Sequence, residues 1–113
     1  MNLIKLPSQE VLSTQADTAK TFKKRLIGLI GTSPIESIAL HIPRCNWVHT
    51  LFMSYPIDVI YLDKSMKICK IDRHLKPWRF AAPVLKAHSV VELIAGSADK
   101  FKLKIGEELH VGH

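Results

Sequence analysis

Apolar residues fall in short bursts along most of this chain, and the bursts alternate or run continuously over strand length. Leu3 to Leu6 is the first, closed by Pro7, and Glu10 to Gln15 follows. Ile38 to Ile42 is apolar and stops at Pro43; Trp47 to Met53 is a further strand-like run, ended by Tyr55-Pro56. Ile57 to Leu62 is rich in β-branched residues, as a central strand would be. Asp63-Lys64-Ser65 has turn chemistry, and Met66 to Ile71 returns as its hairpin partner. Pro77-Trp78-Arg79-Phe80 and Pro83 mark an extended connection before Ser89 to Ala95, which ends at Gly96; Leu109 to Val111 closes the pattern.

One stretch has a different period. Ala19, Phe22, Leu26, Leu29 and Ile30 recur at helical spacing, with Lys20, Lys23, Lys24 and Arg25 mostly opposite. Asp17 suits the N-cap, Gly31 the C-terminus, and Pro34 prevents continuation. The pattern predicts an α+β, mainly β fold: a compact antiparallel β-sandwich or barrel-like domain. It would carry one main amphipathic helix over about residues 18–30 and a short helical turn near 97–101, in a single domain over 1–113.

Composition narrows the function classes. The chain has 113 residues, 47% hydrophobic and 23% charged, enough to bury a core without staples. Its two cysteines, Cys45 and Cys69, form no CxxC, so free thiols are expected. The formal charge is +6, but the basic residues are dispersed and not interleaved with aromatics, so nucleic acid is not the favoured partner. No apolar run has the length of a signal segment or membrane span, which leads to the expectation of a cytoplasmic protein with no membrane partner.

Candidate chemistry sits where charge interrupts apolar strands. Asp58 lies in the 57–62 run, on the face of Ile60 and Leu62; Glu92 lies in Val90-Val91-Glu92-Leu93-Ile94, on the face of His88, Val90 and Ile94. A buried unpaired carboxylate is costly, so each needs a partner. Asp58 either organises the turn after Pro56 or lines a polar pocket. Arg79, beside Trp78, is the natural counter-ion of Glu92, or else presents itself to an anionic ligand. Cys45, His49 and Met53 share a face if their run is a strand, yet residues four apart would lie ~13 Å apart, too far for one metal ion. No metal and no cofactor are therefore expected. The same spacing separates Cys45 from His49 as a thiol–imidazole pair, and no nucleophile motif is present.

His49-Thr50-Leu51-Phe52-Met53, then Pro56-Ile57-Asp58-Val59 and Leu62-Asp63, resembles the domain of unknown function 192 family of bacterial and archaeal proteins. Arg25-Leu26-Ile27-Gly28-Leu29-Ile30, Pro77-Trp78-Arg79, Val91-Glu92-Leu93-Ile94-Ala95-Gly96 and Ile105-Gly106-Glu107 match further segments in order, over roughly residues 16–111. Ile30, Ile94 and Glu107 depart from the family's methionine, proline and aspartate. The resemblance implies a small β-rich domain with one main helix and supplies no reaction. The expected function is a binding or accessory module for a small ligand or protein partner. His49, Asp58, Arg79 and Glu92 would form a polar pocket, with Trp78, Trp47, Phe52 and Tyr55 as its aromatic rim. Alternatives are a small hydrolase or transferase using Asp58 and Glu92 as base and acid, and a weak nucleic-acid-binding module.

Overall fold

The computed structural model describes residues 1–18 and 38–112. The expected amphipathic helix falls outside the described residues, except that Thr18 ends a strand. Among the described residues eight strands and one helical turn are formed: β1 (Asn2–Leu6), β2 (Glu10–Ser13), β3 (Gln15–Thr18), β4 (Ile38–Pro43), β5 (Ile57–Leu62), β6 (Ile68–Leu75), β7 (Ser89–Ile94), α1 (Ser97–Lys100) and β8 (Glu108–Gly112). They build a three-stranded sheet, β2-β1-β8, and a five-stranded sheet, β3-β4-β7-β5-β6. The sheets do not close into a barrel, and β3 pairs parallel to β4, so the expectation of a wholly antiparallel or barrel-like fold is corrected. The mainly β composition, the two sheets and the turn near 97–101 are as the pattern predicts.

The register assigns every side chain of the large sheet to a face. Val59 stands opposite Glu92 on β7 and Asp72 on β6, while Asp58 stands opposite Leu93. One face therefore carries Ala39, Ile60, Leu62, Val91 and Leu93 and packs with Leu3, Leu12 and Leu109 of the small sheet. The other carries Ile42, Ile57, Val59, Tyr61 and Val90 and is covered by the connections 44–56 and 76–88 through Val48, Met53, Ala81 and Val84. Burial on both faces explains why β5 and β7 read as continuous apolar runs, not alternating ones.

Trp47 to Met53 is not a strand. Only His49 forms an isolated bridge, to Phe80, and Phe52 takes the left-handed backbone region at φ 65°. The physical reason is Thr50, whose side chain and main chain bond the other connection and not a neighbouring strand. Its N–H donates to Arg79 O at 2.8 Å, and its carbonyl accepts from Trp78 N at 2.9 Å and Met53 N at 3.1 Å. Its hydroxyl donates to Lys76 O at 2.5 Å and accepts from Arg79 N at 2.9 Å.

Asp58 is fully buried. Its Oδ1 accepts from His74 N at 2.9 Å, and its Oδ2 from Gly96 N at 3.1 Å and Ala98 N at 2.8 Å. Gly96 has φ 95°, a conformation that turns the chain sharply out of β7 and that glycine adopts without strain. Helix α1 has no local side-chain cap, so Asp58 caps it from forty residues away. In place of the turn after Pro56 that the sequence suggested, Asp58 organises tertiary structure: it ties β5 to the end of β6 and to the turn after β7. Asp58→Ala leaves three buried or half-buried N–H groups without this acceptor, and is expected to lower unfolding stability by roughly 3 kcal/mol or more. Urea melts check this; a loss below about 1 kcal/mol would show that the carboxylate is not the tie.

Candidate functional site

The structure does not bring the sequence-predicted residues into one pocket. Asp58 points to the face that meets the small sheet, and Glu92 points to the face under the two connections. As acid and base they share no substrate position, because a packed sheet lies between them. Arg79 does not pair with Glu92 either. Its side chain is exposed, with Nη1 3.4 Å from Pro77 O and from Trp78 O, and no carboxylate lies within ion-pair distance among the described residues. Complementary charge in the sequence did not translate into contact, since Thr50 holds the Arg79 backbone on the outer connection.

His49, Trp78 and Arg79 do come together, on the surface made by residues 44–56 and 76–88. Trp47, His49 and Phe80 form a triangle of rings with centroids 6.1 to 6.3 Å apart. Beside it Phe52 and Trp78 meet edge to face at 4.7 Å. Phe52 is 66%, Trp78 55% and Phe80 67% exposed. Phe52 and Trp78 also both occupy the left-handed backbone region, at φ 65° and 63°, which is uncommon for bulky residues and costs of order 1 kcal/mol each. The fold therefore holds two large rings outward against both the hydrophobic effect and backbone preference. His49 Nδ1 accepts from Leu51 N at 3.3 Å, which sets its ring orientation. Tyr55, expected at the rim, instead packs on the core beneath the connections.

Arg79 and Phe80 line an open groove of ≈490 Å³ whose other wall is residues 70–76 of β6 and the residue after it. Asp72 lies in this groove and accepts from the buried Tyr61 hydroxyl at 2.8 Å; Lys70 Nζ is 3.5 Å from the same carboxylate. Burial, then the Asp72 hydrogen bond and charge, raise the Tyr61 pKa far above its usual value. Sequence reasoning missed Thr50, Tyr61, Asp72 and Lys76. A short hydroxyl residue inside an apolar run was the available signal for Thr50, and a tyrosine inside a β-branched strand was the signal for Tyr61.

Among the described residues no three of His, Cys, Asp and Glu converge as a metal would require, and no helix is long and apolar enough to cross a membrane.

Glu92 is 4% exposed in the middle of the large sheet, and its Oε2 has no hydrogen-bond partner among the described residues. Leu40 and Val59 flank it on either side. Desolvation raises its pKa from 4.5 to about 7. On the opposite face, burial lowers the pKa of His41, whose Nε2 is likewise unpartnered. A carboxyl with a folded pKa above its unfolded value binds more protons in the folded chain. Its contribution to stability is therefore complete below pH 4.5 and is lost as the pH rises through about 7. Glu92→Gln, which cannot ionise, removes this loss. Between about pH 4.5 and 8 the stability difference is expected to move by roughly 3 kcal/mol in favour of the Gln variant, measured by denaturant melts across pH. Parallel pH profiles for the two proteins would show that Glu92 does not titrate in this window.

With the fold and site described, known proteins can be set beside them. A model of the DUF192 family, described as an uncharacterized ACR, matches residues 4–111. A UPF0127 protein of Thermococcus sibiricus is 33% identical over 112 residues, covering 95% of this chain and 72% of the relative. A UPF0127 protein of Pyrococcus furiosus is 35% identical, covering 80% of this chain and 81% of the relative. These relatives are archaeal. Among solved structures, a Novosphingobium aromaticivorans protein of unknown function superposes with a TM-score of 0.83 at 15% identity, covering 98% of this chain and 84% of that one. A Sinorhizobium meliloti protein, described as a candidate transcription regulator, superposes with a TM-score of 0.79 at 17% identity, covering 96% and 89%. At such identities the superpositions establish the fold alone. The extent of the family match, together with the archaeal relatives, establishes that the chain belongs to the DUF192 family, whose function is uncharacterised.

Proposed function

We propose that this domain is a binding module, and that it takes an anionic ligand in the groove between β6 and residues 79–82, under the aromatic rim of Trp78 and Phe80. The observation that carries the reading is Arg79: an exposed guanidinium lining the groove with no carboxylate partner among the described residues, flanked in the chain by the exposed rings of Trp78 and Phe80, of which Phe80 lines the groove. A guanidinium offers a fixed fork of donors to a carboxylate or phosphate, and neighbouring rings add apolar and stacking contact for the rest of the ligand. Lys76 in the same groove also lacks an ion-pair partner among the described residues. The net charge of +6 favours approach of anions at low salt.

His49 supports this surface by holding Trp47 and Phe80 in one ring cluster. Asp58 acts through the fold, and Glu92 lies below the connections that carry the rings. Citrate, used as a probe, is expected to change tryptophan emission on titration, because Trp78 borders Arg79. Arg79→Ala should weaken this binding about tenfold or more, while Lys104→Ala, outside the groove, leaves it unchanged. Equal affinity in Arg79→Ala and the parent would remove the reading.

A further inference from the structure

We infer that the free edge of β6 is a docking strand for an extended acidic peptide, held by main-chain pairing. This rests on the anion-binding reading of the groove and specifies its ligand. The shape of the groove is the first support. It is lined by residues 70 to 76 without a gap. Side chains of a strand alternate between faces, so a hollow touched by seven consecutive residues runs along the strand's edge, where the main chain is reachable. β6 is the terminal strand of its sheet; its first residue, Ile68, bonds Gly106 and Glu107, and among the described residues no strand pairs with the outer side of residues 70–75. On the opposite wall, Thr50 N bonds Arg79 O at 2.8 Å and Ala81 N bonds Val48 O at 2.9 Å. Antiparallel alternation then turns the N–H and C=O of Phe80, which lines the groove, away from residues 48–50.

Charge is the second support. Lys70, Arg73, Lys76 and Arg79 line the groove against a single carboxylate, Asp72. Lys70 reaches Asp72 at 3.5 Å and Arg73 reaches Asp99 at 3.0 Å, but both cations are 45% exposed, and such pairs exchange readily. Lysine and arginine on an open edge repel a second copy of the same strand. The same charges admit a strand with Glu or Asp at alternate positions, so one device excludes self-pairing and selects the partner. Pairing through the main chain would supply affinity, and the cations would supply selectivity. Both register shifts place the extra residue in β6, between Ile68 and Lys70 and between Asp72 and Leu75, and His74 N–H is committed to Asp58, so the main chain offered for pairing is that of residues 70–73.

The test uses a capped octapeptide alternating Glu and Val, a copy methylated at every main-chain nitrogen, a Lys/Val octapeptide, and citrate. Each is titrated into the isotope-labelled full chain, and amide shifts and hydrogen exchange are followed by NMR. The Glu/Val peptide is expected to shift and protect amides within residues 70–76. The methylated copy should bind at least about tenfold more weakly at unchanged charge, and the Lys/Val peptide should not bind. Equal binding of the methylated copy, or binding of citrate without the peptide, overturns strand docking while leaving the anion site standing. No binding of either peptide or citrate overturns both.

Discussion

A single carboxylate deep in the protein holds together elements that neighbour one another only in space. Asp58 accepts one N–H from the end of β6 and two from the turn that follows β7, all at 2.8 to 3.1 Å. Strand pairing alone aligns β5, β6 and β7, but does not settle where β6 ends or how the chain leaves β7. Asp58 settles both, by satisfying donors that would otherwise be stranded at a helix start and at a left-handed residue, His74 at φ 52°. The groove wall formed by residues 70–76 therefore inherits its position from a side chain on the far face of the sheet.

The two faces of the large sheet are built on different principles. One is dry and closed by the small sheet, with Leu3, Leu12 and Leu109 pressed onto Ile60, Val91 and Leu93. The other is closed by irregular connections, which must satisfy their own backbone groups. Thr50 does this by bonding the second connection with both its hydroxyl and its main chain. Into this less regular layer the sheet directs Glu92, whose Oε2, unpartnered among the described residues, is an energetic fault that an apolar residue would not carry.

Those rings give the surface its character. Phe52 and Trp78 are held in strained backbone conformations, edge to face, with most of their area outward. The ligand proposed above would meet a rigid scaffold beneath and exposed aromatic and guanidinium groups above, which keeps the ordering cost of binding small.

Much of the fold was legible because strand patterns are local. The β-branched run at 57–62, the apolar run at 89–94 and the turn at 63–65 followed from side-chain chemistry over a few residues, as did the need of Asp58 for a partner. What remained hidden depended on register and on contacts distant in sequence. Asp58 and Glu92 read as one pocket because each is a carboxylate in an apolar strand; pairing Asp58 with Leu93 and Val59 with Glu92 sends them to opposite faces, and a slip of one residue would have reversed that. The 47–53 run read as a strand because its apolar content is strand-like, but Thr50 found its bonds twenty-six and more residues away. Sequence by itself determined the central strands at 57–62 and 89–94, since burial is written there residue by residue. Only the tertiary structure decided which side chains meet, because a strand's face and a loop's path are set by partners that the local pattern does not contain.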